Sequence, residues 1–113
     1  MTKKAFLNAV KINEAVSFTE TIAVISENYA YQPTAFKNGN VENAAGQNEG
    51  SCKIFAFAKL NELTEAQTLS LFGDYYRVDV LKNPDAIDHQ NIRQFMQHGW
   101  IGVIFENAAL TTL

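Results

Sequence analysis

The sequence contains a single cysteine, Cys52, and two histidines, His89 and His98, among its 113 residues. One cysteine excludes an internal disulfide, so the fold does not require an oxidising compartment. His89 and His98 lie nine residues apart on a predicted helix, which leaves them about half a turn out of phase at roughly 100° per residue. We therefore expect no metal site and no cofactor.

Basic runs are also scarce. None is longer than Lys3-Lys4, and nine Lys and Arg residues stand against twelve Asp and Glu residues, which gives a net charge of -3. Nucleic-acid backbones and anionic membranes are poor partners for such a chain. No apolar run reaches the length of a membrane span, and Met1 to Val16 lacks the apolar region and cleavage site of a secretory signal peptide. We expect a cytoplasmic protein with no nucleic-acid or membrane partner.

Apolar and aromatic residues, in contrast, are plentiful. The chain is 47% hydrophobic and carries eight Phe, four Tyr and one Trp. Side chains of this size dominate the burial energy of a core, and 113 residues is a common length for one domain. Because no repeat, linker or low-complexity tract interrupts the chain, we predict a single domain over residues 1–113.

Apolar spacing and capping signals predict four or five helices. Ser17 to Glu20 and Thr64 to Gln67 both match the capping box, which marks a helix start. The run from Ser51 to Leu63 is apolar on nearly every side of a helical wheel and predicts a fully buried central helix, with a buried strand as the alternative. Further helices are predicted around Ala5 to Val10, from Thr64 on to Tyr76, and from an Asp88 cap to Gly99 with Ile92, Phe95 and Met96 buried.

Strands are predicted in two parts of the chain. Thr34 to Lys37 reads as a strand, and Asn38-Gly39 suits a type I′ turn that leads into a return strand through Val41. Trp100 to Phe105 is a third strand, which we expect to pair with Thr34 to Lys37, while residues 107–113 are expected to fray. The predicted fold class is α+β, with four or five helices packed on a small antiparallel sheet of two or three strands.

Long motifs in a fixed order give the chain a family resemblance. They are Tyr-Gln-Pro-Thr-Ala-Phe-Lys-Asn-Gly at 31–39, Ala-Gly-Gln-Asn-Glu-Gly-Ser-Cys-Lys at 45–53, Leu71-Phe72-Gly73, and Asp-His-Gln-Asn-Ile-Arg-Gln-Phe-Met at 88–96 before Gly99-Trp100. With these motifs the chain resembles, over nearly its whole length, the HopJ family, which carries the label type III effector. The resemblance implies a bacterial protein of the predicted fold, with type III export as an alternative to a cytoplasmic location. It implies no catalytic residues.

Side-chain amides and charged residues crowd the segment from 38 to 53, which is the candidate site. Amides donate and accept, so they suit a neutral polar ligand or a peptide backbone, and they equally suit a loop that must satisfy its own backbone. If the central helix begins near Ser51, its free N–H groups and Lys53 favour an anion, with simple capping by Ser51 as the alternative. The candidate ligand-binding residues are Asn38, Asn43, Gln47, Asn48, Glu49, Ser51 and Lys53, together with His89, Asn91 and Arg93 at the start of the last helix.

These candidate residues are compatible with two functions. The first is a non-enzymatic binding or interaction module that uses the 38–51 loop and the nearby start of the last helix to hold a small polar or anionic ligand or a partner protein. The second is a small enzyme that uses Cys52, with a pKa lowered by the helix start, and His89 or His98 as base. A buried core cysteine is the simpler interpretation of Cys52. We also expect Asn48 and His89 to share one face of the protein, and Trp100 to lie in the core.

Overall fold

The structure is a computed structural model that describes all 113 residues as an α+β fold, which confirms the predicted class. The predicted small antiparallel sheet is divided in two, with three strands in the order β3-β2-β4 and two in the order β1-β5. The helices are α1 (Lys3–Lys11), α2 (Phe18–Asn28), α3 (Glu49–Leu60), α4 (Glu65–Ser70) and α5 (Gln90–His98). A π-helical turn (Tyr75–Val80) lies between α4 and α5, and a 3₁₀ turn (Gly99–Gly102) follows α5. The strands are β1 (Tyr29–Tyr31), β2 (Phe36–Asn38), β3 (Val41–Asn43), β4 (Val103–Phe105) and β5 (Leu110–Thr112).

Helix α3 runs through the centre of the domain, as its apolar sequence predicts. Six of its side chains between Cys52 and Ala58 are buried, and those of Ile54 and Phe57 are fully inaccessible to solvent. The Phe55 ring lies at its middle and contacts four other aromatic rings at centroid distances of 5.0 to 6.4 Å. Those rings belong to Phe36, Phe72, Phe95 and Trp100, which come from four different parts of the chain.

Both predicted capping boxes are present. The Ser17 hydroxyl accepts from the Glu20 N–H at 3.0 Å, and the Glu20 carboxylate accepts from the Ser17 N–H at 3.0 Å. Thr64 and Gln67 make the same exchange at 2.9 and 3.1 Å. Since each exchange satisfies two backbone donors that a helix start leaves free, α2 and α4 begin where the sequence predicts.

Strand β4 pairs with β2 in antiparallel fashion, with Phe36 opposite Phe105, so the predicted long-range partner is confirmed. The strand is shorter than predicted because Gly99, at φ +64°, directs the chain into the 3₁₀ turn first. The prediction of a frayed tail is wrong. Leu110–Thr112 pairs with Tyr29–Tyr31 as a second sheet, and Leu110 is buried.

The hairpin between β2 and β3 has a different register from the predicted one. Asn38 pairs with Val41, so the two loop residues are Gly39 and Asn40, and only Gly39 has a positive φ, of +58°. Glycine at the first loop position with a positive φ fits a type II′ turn, not the predicted type I′. The shift keeps Asn38 in the strand, where its side chain is fully buried.

Several helix boundaries differ from the predictions for identifiable reasons. Helix α3 begins at Glu49, two residues before the predicted start at Ser51. Helix α4 ends at Ser70 and does not reach Tyr76, because Gly73 adopts φ +62° with its Cα packed on the backbone of α2. A Cβ at Gly73 would lie 2.7 Å from the Phe18 backbone nitrogen, so only a glycine allows this close contact with the start of α2.

Helix α5 ends at Gly99 as predicted, but its first residue and the set of side chains on its buried face differ from the prediction. The residue before its first turn is His89 and not Asp88, and Met96 is 45% exposed. Trp100 packs on the core rings of Phe55 and Phe95 yet is only half-buried, with its indole N–H donating to the Leu63 carbonyl at 3.1 Å. None of the helices combines the length and apolar character that crossing a bilayer requires.

Candidate functional site

A cavity of about 340 Å³ lies between the starts of α3 and α5. The segment Asn48 to Ser51 forms one side of it, and the segment His89 to Ile92 forms the other. The two polar segments that the sequence predicts to approach each other therefore do so, and Asn48 and His89 lie on one face of the protein. Further walls come from the side chains of Phe18, Val41, Phe72 and Tyr75.

The start of α3 has no side-chain cap. Asn48, the residue before its first turn, has the left-handed conformation with φ 51° and ψ 48°, and its amide donates to the Asn43 Oδ1 at 2.7 Å instead. Ser51 does not cap the helix either, since the helix begins two residues earlier. The backbone N–H groups of Gly50 and Ser51 consequently have no acceptor within the protein.

The start of α5 repeats this arrangement. His89 has the same left-handed angles, φ 51° and ψ 48°, and its side chain forms no capping hydrogen bond. Asp88 cannot cap the helix because its carboxylate accepts from the Arg93 guanidinium at 2.6 Å, a hydrogen bond that lowers the pKa of Asp88. The N–H groups of Gln90 and Asn91 are left without an acceptor, so two helix starts present free donors to one cavity.

Buried amides hold the two segments together behind the cavity. Asn38, Asn43 and Asn91 are all nearly inaccessible to solvent. Asn38 donates to the Asn91 backbone and side-chain oxygens at 2.7 and 3.1 Å, and Asn91 donates to the Asn43 Oδ1 at 3.0 Å. These three predicted site residues thus bond to one another, and only Asn91 also lines the cavity.

Aromatic rings form a further part of the cavity wall, next to the helix starts. The Phe18 and Tyr75 rings meet edge to face at 5.1 Å, and the Tyr75 and His89 rings lie 5.1 Å apart. Gly50 makes room for this wall, because a Cβ there would lie 2.9 Å from the Phe18 ring. His89 also contacts the Asp79 carboxylate, with Nε2 and Oδ2 separated by 3.0 Å.

Besides Asn38 and Asn43, four more predicted residues do not line the cavity. The Gln47 side chain accepts from the Ala44 N–H at 3.3 Å within its own loop, and Glu49 is exposed. The Lys53 ammonium lies over the Tyr31 ring, 4.6 Å from its centroid. Arg93 donates to the Asn83 and Pro84 carbonyls as well as to Asp88, so it fixes the loop before α5.

Cys52 is buried, with 1% of its surface exposed, as the simpler interpretation predicts. The expectation of a lowered pKa is wrong, because burial raises the pKa of the thiol despite its place in the first turns of α3. Its sulfur makes only a long contact of 4.0 Å with the Thr34 carbonyl oxygen, and no histidine forms a hydrogen bond to it. No three His, Cys, Asp or Glu side chains come together in a way that could hold a metal ion.

Sequence reasoning missed Tyr75 and Asp79, the residues that contact His89 from the π-helical turn. Tyr75 was expected inside a helix continued from Thr64, and Asp79 lies in a largely apolar stretch that carries no recognisable motif. A signal was available in Gly73, since a glycine inside a predicted helix often marks its end. A prediction that α4 ends at Gly73 would have assigned residues 75–80 to a separate element. It would not have shown that this element contacts His89.

Comparison with known proteins shows the family of the chain. The chain gives no match among curated proteins. It is similar to a solved structure titled "Crystal structure of unknown function protein VPA0580", with 51% sequence identity and a TM-score of 0.98, over 100% of this chain and 95% of that one. A sequence model described as "HopJ type III effector protein" matches residues 3–110. The chain, including both segments of the cavity, therefore belongs to the HopJ family.

Proposed function

We propose that this protein is a non-enzymatic binding module of the HopJ family, and that the cavity between α3 and α5 holds a small polar or anionic ligand. The observation that carries the proposal is the convergence of two uncapped helix starts on one cavity. In the other long helices, α1 and α2, the Thr2 and Ser17 side chains cap the start, each accepting from one first-turn N–H, of Ala5 and Glu20 respectively. The two long helices that lack a side-chain cap are therefore the pair that lines the cavity.

Electrostatics favours an acidic group on the ligand. Each helix start carries a partial positive charge, and its free N–H groups point out from the first turn. The nearby carboxylates of Asp79 and Asp88 oppose an anion, but His89 and Arg93, respectively, partner them. We expect weak to moderate affinity for a simple anion, since neither Lys53 nor Arg93 reaches the cavity.

The family description also bears on location. A type III effector is delivered out of the bacterium that makes it, whereas the sequence alone suggests a cytoplasmic protein. We propose a cytoplasmic role, with type III export as the alternative. A partner protein is a second kind of ligand that the polar cavity between α3 and α5 could bind. Detection of the tagged protein in the culture medium only when a type III apparatus is present would favour export.

Titration with phosphate, followed by two-dimensional ¹H–¹⁵N NMR at constant ionic strength, tests the site. The amide signals of Gly50, Ser51, Gln90 and Asn91 should shift together along one saturation curve. The amides of Ala5, Glu20 and Gln67 in the first turns of α1, α2 and α4, each of which has a capping acceptor, serve as internal controls and should stay in place. Shifts spread over surface lysines, or no shifts in the cavity, would contradict the proposal.

A matched pair of variants at Ser51 separates charge from shape. Ser51→Glu places a carboxylate in the first turn of α3, where it suits the helix and competes with an anionic ligand. Phosphate binding should fall by at least about ten-fold, since a helix-start interaction contributes of order 1 kcal/mol and like charge adds repulsion. Ser51→Gln has similar bulk without charge and should bind nearly as the parent does. Equal loss in both variants would show that the site depends on space and not on charge.

Nothing specific favours the cysteine-dependent enzyme. The thiol is buried, its pKa is raised, and neither His89 nor His98 forms a hydrogen bond to it. We therefore assign the cavity, and not Cys52, as the place where this family member meets its ligand.

A further inference from the structure

His89 is held on two sides by the π-helical turn Tyr75–Val80. The Asp79 carboxylate lies 3.0 Å from the imidazole Nε2, and the Tyr75 ring lies against the imidazole with centroids 5.1 Å apart. Both contacts come from one turn, and π-helical turns are frequent at functional sites. The imidazole is therefore fixed in position, although it lines a cavity and is only partly buried.

The contact with Asp79 also decides which ring nitrogen carries hydrogen. A carboxylate accepts hydrogen bonds, so the imidazole nitrogen that contacts it must be the donor. Nε2 then carries the hydrogen, and the neutral ring presents Nδ1 as an acceptor. Nδ1 makes no hydrogen bond within the protein and is not a buried atom, which leaves it open to a ligand.

We propose that Asp79 is a positioning residue that fixes this His89 tautomer, so that His89 contacts the ligand through Nδ1. This inference rests on the proposed function and narrows its ligand. The helix starts offer donors to an acidic group, while Nδ1 offers an acceptor to a neighbouring hydroxyl. The ligand class that uses both is a small hydroxy acid, in which an O–H lies next to a carboxylate.

The other charged groups near His89 are compatible with this role. Asp88 Oδ2 lies 3.9 Å from Nε2, beyond hydrogen-bond distance, and the other oxygen of this carboxylate, Oδ1, accepts from Arg93. The Tyr75 ring is tilted by 41° against the imidazole and forms no hydrogen bond with it. Only Asp79 is thus placed to select the tautomer.

The tautomer is measured directly, without any ligand, by long-range ¹H–¹⁵N correlation of the imidazole at pH 8. The parent should show the hydrogen on Nε2. Asp79→Ala should lose this preference and Asp79→Glu should keep at least part of it. Asp85→Ala removes the same charge from an exposed turn residue that makes no hydrogen bond, and should leave the His89 spectrum unchanged. Hydrogen on Nδ1 in the parent, or an unchanged spectrum in Asp79→Ala, would overturn the inference.

Glycolate and acetate then test the ligand class, since they differ mainly by the hydroxyl. The parent should bind glycolate about five-fold more tightly than acetate, as one added hydrogen bond predicts. Asp79→Ala should lose the preference while acetate affinity changes little, and Asp85→Ala should retain it. Binding of both acids without a glycolate preference would overturn this inference and leave the proposed function standing. Absence of any shift at the cavity amides with either acid would overturn both.

Discussion

Two residues, Asn48 and His89, determine the chemistry of the cavity through their backbone conformation. Both take the left-handed region at φ 51°, which costs a residue with a side chain of order 1 kcal/mol. A residue before a helix usually caps it from an extended conformation, with its side chain folded over the first turn. The left-handed conformation prevents that, so the first-turn donors of α3 and α5 stay free for a ligand.

Cys52 provides a test of the alternative, enzymatic function at the same scale. Because burial raises the pKa of the thiol, a smaller fraction is thiolate at pH 8 than in a free cysteine. Labelling of the native protein with a disulfide reagent should be slower than labelling of the urea-unfolded protein by a factor on the order of 1,000, because the reagent must await opening of the core. Rapid, stoichiometric labelling of the native protein at pH 7 would restore Cys52 as a candidate nucleophile.

Among the elements, the π-helical turn supplies the side chains that contact His89. Gly73 determines where this turn begins. The positive φ of Gly73 ends α4 and lets the chain pass directly over the backbone of α2. The turn that follows brings Tyr75 to the aromatic wall and Asp79 to His89. The end of α4 is therefore part of the construction of the cavity.

Gly73→Ala and Gly46→Ala form a matched pair that tests this role. Both glycines have positive φ, but a Cβ at Gly73 would lie 2.7 Å from the Phe18 nitrogen, while a Cβ at Gly46 has nothing within 4 Å. Gly46→Ala should cost about 1 kcal/mol, which is the left-handed strain alone. Gly73→Ala should cost roughly 3 kcal/mol, since a backbone clash adds to the same strain. Urea unfolding measures both, and similar losses would show that the contact with α2 relaxes easily.

The elements also show what local sequence signals could and could not predict. Capping boxes at Ser17 and Thr64 depend on residues three apart, so they were predictable. The register of the β2–β3 hairpin was not, because Asn-Gly and Gly-Asn occur in overlapping positions at 38–40 and burial of Asn38 against Asn91 selects between them. The strand Leu110–Thr112 was missed for a similar reason, since its partner Tyr29–Tyr31 lies some eighty residues away.

At the scale of the whole molecule, the site is assembled from segments distant in sequence. The predicted pairing of β2 with β4 implies that residues 48–51 lie near residues 89–92. In the structure these strands do pair, and both segments line the cavity. Which side chains enter the cavity could not be predicted. Gln47, Glu49, Lys53 and Arg93 have suitable chemistry, but local loop bonds, a ring contact or helix phase direct them elsewhere.

The most direct test of the central claim is the location of a bound anion. We suggest crystals of the protein soaked in selenate, whose selenium gives an anomalous signal, with Ser51→Glu crystals as the control. The arrangement of the two helix starts predicts a peak within hydrogen-bond distance of the N–H groups of Gly50 or Ser51 and of Gln90 or Asn91, and its loss in Ser51→Glu. An empty cavity in the parent, with selenate bound only at surface lysines or at the capped helices, would contradict the claim.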